Sequence, residues 1–299
     1  MVGVLCPVFC TFGGSTDVGS GQVFLGLLRE RGYEDGRNIH VERRGAGVRY
    51  AQLPGYAGTL VRRNVDVILA DGWAAADAAR KATGTIPIVM APVPDAVEVG
   101  LVAGLARPGG NVTGVTYPFA ELAAKQLELL REAVPRLSRV AVLFNPDNPE
   151  HGRSLAGVEG AAQGMRLPLQ RVAVRSRSEL REAFASMARE RVDGVLVLGD
   201  ALLSGGETAL WAIEHRIPVV SLRPDFVEAG GLLAYGPSHE EVARRVVAFI
   251  DRILKGAKPG DLPVEQPTKY DLIVNTATAR ALGLPLPPSL LLRGDRVIE

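Results

Sequence analysis

The reactive groups in this chain are few. Its two cysteines, Cys6 and Cys10, lie four apart just after the first apolar run, a spacing that is neither a disulfide framework nor a metal-ligand set. A paired-thiol racemase needs one cysteine on each side of its cleft, so that one thiolate removes a proton and the other thiol returns it. Here both cysteines share one loop. The four histidines, His40, His151, His215 and His239, are scattered. They form no His-Glu-x-x-His pair, the chain has no Gly-x-Ser-x-Gly elbow, and each reads as a surface or helix-end histidine. No catalytic residue, metal site or cofactor is expected.

What remains is a set of hydroxyls, carboxylates, amides and rings. Thr11, Gly14, Ser15 and Thr16 fall in the stretch Thr11-Phe12-Gly13-Gly14-Ser15-Thr16-Asp17, ahead of a helix. Backbone N–H groups and hydroxyls in that position suit a carboxylate. The stretch lacks the Gly-Lys-Ser/Thr ending of a phosphate loop, and it reads equally as a surface loop capped at Asp17 or Ser20. Asp71 is a natural helix N-cap that is also able to accept an ammonium group. Beside it, in Gly72-Trp73-Ala74, the indole either covers the core edge or offers a flat apolar face to a ligand. Asp95, Asn145, Asn148 and Asp200 each follow an apolar run, where Asp and Asn are also ordinary caps. Tyr117 and Tyr235 end two similar Gly-turn-and-strand segments, where packing competes with lining a cleft.

The elements that carry these residues alternate short β-branched runs with longer amphipathic ones. In the first part, strands are expected near residues 2–5, 38–42, 65–70 and 86–90, and helices near 22–31, 53–63 and 74–82. The pattern restarts with strands near 139–143, 169–174, 195–198 and 217–221, and helices near 154–163 and 178–189. This is the signature of βαβ crossovers and a mainly parallel sheet. The halves also match locally. Asn64-Val65-Asp66-Val67-Ile68-Leu69 resembles Arg191-Val192-Asp193-Gly194-Val195-Leu196, and Ile86-Pro87-Ile88-Val89 resembles Ile217-Pro218-Val219-Val220. A near-constant offset of about 130 residues argues for one architecture used twice. The fold class is therefore α/β: two Rossmann-like lobes with parallel sheets joined by a three-crossing hinge. The expected lobes are residues 1–116 with 237–267, and 117–236 with 268–299, with a helix at 240–254 packing back on the first lobe. Ligands of open parallel sheets bind beyond the carboxyl ends of the strands, which is where the candidate residues fall.

Composition narrows the partners. The 299 residues are 47% hydrophobic and 22% charged, the balance of a globular protein with a large core. Lys plus Arg is 34 against 33 for Asp plus Glu, and no basic cluster is interleaved with aromatics, so nucleic acid is not an expected partner. No apolar run is long enough to span a bilayer. Nothing ahead of Val2 resembles an export leader, so the chain is either cytosolic or has had its leader removed.

Several motifs together resemble the substrate-binding proteins of bacterial ABC transporters related to the tryptophan and tyrosine uptake receptors. They are Phe24-Leu25-Gly26-Leu27 with Gly36-Arg37-Asn38-Ile39; Arg107-Pro108-Gly109-Gly110-Asn111-Val112-Thr113-Gly114; Val142-Leu143-Phe144-Asn145-Pro146; and Leu262-Pro263-Val264-Glu265-Gln266-Pro267-Thr268-Lys269-Tyr270. The resemblance spans nearly the whole chain. It implies a type I periplasmic-binding fold, a periplasmic or lipid-anchored extracytoplasmic location, a membrane permease as partner, and a monomer. It also implies an aromatic amino acid bound through loops matching Ser15, Thr16, Gly72-Trp73-Ala74, Asp95, Asn145 and Asp200. The chain departs from the family in having Gly72-Trp73 where small residues such as Thr-Pro are common, and Asp95-Ala96 where Asp-Pro is common.

The expected function is that of a solute receptor for an ABC importer, holding a small molecule, an amino acid with an aromatic or other apolar side chain, in the interlobe cleft. The alternatives are a ligand-sensing domain for a signalling partner, and the two-lobed racemase that the cysteine placement disfavours.

Overall fold

The computed structural model describes residues 1–7, 20–47, 49–200, 202–203 and 206–299. Along the chain run β1 (Val2–Cys6), α1 (Ser20–Glu30), β2 (Val41–Gly45), α2 (Leu53–Arg62), β3 (Val67–Asp71), α3 (Gly72–Ala82), β4 (Ile88–Pro94) and β5 (Val112–Tyr117). There follow α4 (Phe119–Ala133), β6 (Val140–Phe144), α5 (His151–Gly164), β7 (Leu169–Ala173), α6 (Arg177–Arg189), β8 (Gly194–Val197), α7 (Gly206–Glu214), β9 (Val219–Ser221), α8 (Pro224–Glu228) and β10 (Leu233–Pro237). The chain ends with α9 (His239–Leu254), β11 (Tyr270–Asn275), α10 (Thr276–Leu282), α11 (Pro288–Leu292) and β12 (Arg296–Ile298). The helix α4 is not among the expected elements. Its buried stripe includes Phe119, Leu122, Leu127 and Leu130, and buried Gln126 donates from its amide to the Tyr235 carbonyl at 2.8 Å.

Two compact units result. One comprises Met1–Pro118 with Pro237–Lys269, the other Phe119–Gly236 with Tyr270–Glu299. The first unit holds a five-stranded sheet in the order β2-β1-β3-β4-β5, with parallel pairing throughout. The second holds a seven-stranded sheet, β12-β11-β10-β9-β8-β6-β7. Read from β7, its first five strands repeat the order of the first sheet. This repetition is what the near-constant spacing of similar segments predicts. The fold class is α/β, with parallel sheets in two lobes.

Strand alternation sorts the first unit's core into two layers, because successive side chains point to opposite faces. Val2, Val4, Cys6, Val67 and Leu69 join Phe24 and Leu28 of α1 and Val246, Phe249 and Ile250 of α9. Leu5, Ile68, Ala70 and Met90 join Leu60 of α2 and Ala75 and Ala79 of α3. With helices on both faces, the strands must be apolar throughout, and β1 is buried at every position. On α9, buried Asp251 accepts from the Tyr33 hydroxyl at 2.9 Å and pairs with Arg31 and Lys255, tying the end of α1 to α9.

The last segment of the first unit is held by Glu241 on α9. Its carboxylate accepts from the amide of Lys269 at 2.8 Å, the hydroxyl of Thr268 at 2.8 Å and the guanidinium of Arg245 at 2.6 Å. Arg245 in turn pairs with Glu265. Burial raises this carboxyl, but the hydrogen bonds from Arg245, Lys269 and Thr268 outweigh it and bring it from 4.5 to about 2. The folded-state value is depressed, so the stabilisation is complete above the unfolded value and is lost as pH falls from 4.5 toward 2. Acid titration followed by circular dichroism should show Glu241→Gln less stable than the parent at pH 6. The difference should shrink as pH falls below 4.5 and close only near pH 2; a constant difference across that range would contradict the assignment.

Candidate solute site

In an open parallel sheet, the binding crevice lies outside the strands' carboxyl ends, where the strand order reverses. That reversal falls between β1 and β3 in the first unit, and between β6 and β8 in the second.

In the first unit, the expected residues Thr11, Gly14, Ser15 and Thr16 lie outside the described residues. Cys6, at the end of β1, is disulfide-bonded; the chain's other cysteine, Cys10, is also outside them. Gly72 opens α3 directly after β3 with φ of 79°, a left-handed conformation in which a side chain is strained. Trp73 is partly buried and packs on the alanine-rich core layer of α3, and Ala74 is buried within it. Asp71 occupies the N-cap position of α3 without a side-chain capping hydrogen bond.

Asp95 follows β4 and is half-buried, with φ of 45°. Two neighbours on β5 fix that turn. The Thr116 hydroxyl donates to the Val93 carbonyl at 2.8 Å and accepts from the Ala96 amide at 3.0 Å, bracketing Pro94 and Asp95. The Asp95 amide donates to the Tyr117 carbonyl at 3.0 Å. Tyr117 itself is buried. In the second unit, Tyr235 stacks on Tyr270 with ring centroids 5.9 Å apart, and burial raises its hydroxyl pKa.

The second unit brings Asn145, Asn148 and Asp200 together. Asn145 and Asn148 lie in the loop after β6, and Asp200 in the loop after β8, the next strand in the sheet. All three are buried, as is His151 at the first position of α5. One Asp200 oxygen, Oδ2, accepts from the side-chain amides of Asn148 at 3.0 Å and Asn145 at 3.3 Å. The other, Oδ1, accepts from the Leu202 amide at 2.8 Å. The amide oxygens of Asn145 and Asn148 accept from the Asp147 and Glu150 N–H groups, both at 3.0 Å, so each asparagine also shapes its own turn.

The His151 ring closes the set. Its Nδ1 faces the Asn145 amide at 2.9 Å and the Asn145 carbonyl at 3.1 Å. Its Nε2 faces the Asn148 amide at 3.2 Å and the Gly199 carbonyl at 3.4 Å. Each ring nitrogen thus meets one donor and one acceptor. A neutral ring suits both, whereas an imidazolium would set N–H groups against two donors. Burial pushes this imidazole below its ordinary value, against the opposing field of Asp200.

His151 is the functional candidate that sequence reading missed: it is a helix-end histidine, as one of the two expected readings has it, but it is buried. A signal was present. His151, Ser154, Leu155, Val158 and Ala162 form one buried helical stripe, which places the histidine on the apolar face of α5. In the neighbouring loop after β9, Arg223 grips Asp225 through two bonds, Nε to Oδ1 at 3.0 Å and Nη2 to Oδ2 at 2.8 Å.

Chemically, this arrangement presents fixed hydrogen-bonding groups at strand ends. Among the described residues, no group of His, Cys, Asp and Glu is placed to hold a metal, and no helix is long and apolar enough to cross a membrane.

A family model described as ABC transporter substrate binding protein matches residues 20–298. A relative from Clostridioides difficile (strain R20291), named tyrosine-binding protein, is 28% identical over 87% of this chain and 75% of its own length. Two solved structures are each 25% identical and cover 99% of this chain. One is a conserved domain protein from Vibrio cholerae, with a TM-score of 0.89 over 98% of its length. The other is an ABC domain in complex with L-Trp from Streptococcus pneumonia, with a TM-score of 0.87 over 99% of its length. The fold is of the type I periplasmic-binding class.

Proposed function

We propose, from the premise that this chain belongs to the family of ABC transporter substrate-binding proteins, that it is the solute receptor of an importer and that its ligand is an amino acid with an aromatic or other apolar side chain. The family is one of binding proteins rather than enzymes. The observation that carries the proposal is the buried set Asn145, Asn148 and Asp200, joined across the β6–β8 crevice where this fold class takes its ligands. The relatives support the ligand class, since one is named for tyrosine and another holds L-Trp.

In this reading, Ser15, Thr16, Gly72 and Asp95 are the residues whose chemistry suits the charged end of an amino acid. The Asn145, Asn148 and Asp200 loops fix its orientation. A permease takes delivery of the solute, which places the protein outside the cytoplasm.

A thermal-shift screen over amino acids, nucleosides, sugars and small carboxylates tests the proposal. Ligand at a hundredfold excess over its Kd stabilises the folded protein by about 2.7 kcal/mol, so L-tyrosine or L-tryptophan is expected to raise the unfolding midpoint by several degrees. A rise with sugars or nucleosides alone would overturn the amino-acid assignment. Turnover of a solute without any stabilisation would overturn the receptor reading.

A further inference from the structure

We infer that His151 is a positioning residue of the solute site: it acts on a bound solute through the loops after β6 and β8, not by contact. The inference rests on the reading of those loops as solute-binding. The amide–carboxylate bonds from Asn145 and Asn148 to Asp200 join side chains across the crevice. His151 reaches the main chain on both sides of it. One ring nitrogen meets the N–H and C=O of Asn145, and the other faces the C=O of Gly199, the residue before Asp200.

The ring is itself immobilised from below. It stands at the start of the 14-residue helix α5, on the stripe buried through Leu155, Val158 and Ala162, and is itself 2% exposed. A side chain locked by packing transmits that rigidity to whatever it bonds, and preorganised polar groups bind more tightly than groups that must be ordered on binding. Without the ring, the main chain of Asn145 and of Gly199 loses its tie to α5, and only the side-chain bonds from Asn145 and Asn148 to Asp200 are left to hold the two loops together.

Three variants separate this role from a merely space-filling one. His151→Phe keeps the bulk and removes both nitrogens. His151→Asn restores a polar group at the Nδ1 position, and His151→Gln one at the Nε2 position. Calorimetric titration with L-tryptophan and L-tyrosine is expected to show His151→Phe binding at least tenfold more weakly, with His151→Asn and His151→Gln each recovering part of the loss. Amide hydrogen exchange on the unliganded proteins is expected to quicken at Asn145 and Leu202 in His151→Phe and to stay slow in the core strands β6 and β8.

Should His151→Phe fail to fold, the Asn and Gln variants carry the same comparison against the parent. Parent-like affinity together with unchanged exchange at Asn145 and Leu202 would overturn the inference. If the parent protein binds neither amino acid, the proposed ligand class fails, and the exchange comparison still decides the role of His151.

Discussion

Asp200→Ala is expected to abolish measurable solute binding and to destabilise the second unit by about 3 kcal/mol. The carboxylate accepts from three groups: the Leu202 amide and the side-chain amides of Asn145 and Asn148. Alanine leaves all three donors without that acceptor in a site where Asp200 is 4% exposed. Each buried donor left without a partner costs roughly 1–3 kcal/mol, so the figure sits at the lower end of the range. Asp200→Asn is the informative companion. If its remaining oxygen serves Leu202, its NH2 group faces two other amide donors, so the link between the two loops is still lost. Urea titration of both variants, with L-tryptophan titrations on the folded fraction, checks this. An unchanged unfolding midpoint in Asp200→Ala would show that these bonds contribute nothing net.

A still larger effect is expected for Gly114→Ala, within strand β5. Gly114 pairs with Met90 in the β4–β5 register and has φ of 135°. A Cβ there would lie 2.2 Å from the Met90 carbonyl oxygen and 2.7 Å from its nitrogen. Both are main-chain atoms of the neighbouring strand, so no side chain can swing aside. The strands would have to part just where β4 shifts register, between Met90 and Val93, ahead of the Asp95 turn. Forced overpacking costs typically 1–3 kcal/mol and a side chain in disfavoured backbone about 1–3 kcal/mol more, so the loss is expected at about 4 kcal/mol, enough to deplete soluble protein. Gly55→Ala is the control. Gly55 is exposed on α2 with open space around it, and alanine in a helix is favoured by roughly 0.5–1 kcal/mol. Equal yields and midpoints for the two variants would contradict the steric argument.

The two expectations differ in how far they were visible beforehand. The glycine at position 114 was seen as part of the Arg107 to Gly114 motif, but the reason for it, a neighbouring backbone 24 residues away in sequence, belongs to the register of two strands. Asp200 and the two asparagines were picked out one by one as residues that follow strands. That they bond to one another depends on β6 and β8 being neighbours, which places loops 52 and 55 residues apart in sequence within hydrogen-bond reach. Trp73 shows the same limit. Its position at a strand-to-helix turn is legible in the sequence, whereas the alanine-rich layer of α3 that it packs against is seen only in the fold.

By itself, the sequence determined the α/β class, the duplication and the edge of each sheet on which candidate residues stand. Those depend on periodicity and order along the chain, and a period of two or of 3.6 says which face of an element turns inward. Tertiary structure alone decided the partners: the histidine packed against the Asn145 and Gly199 main chain, and the carboxylate of Asp200 taken up by the side-chain amides of Asn145 and Asn148. A hydrogen bond is satisfied by whatever donor or acceptor the fold brings within about 3 Å, and local pattern carries no record of which distant residue that will be.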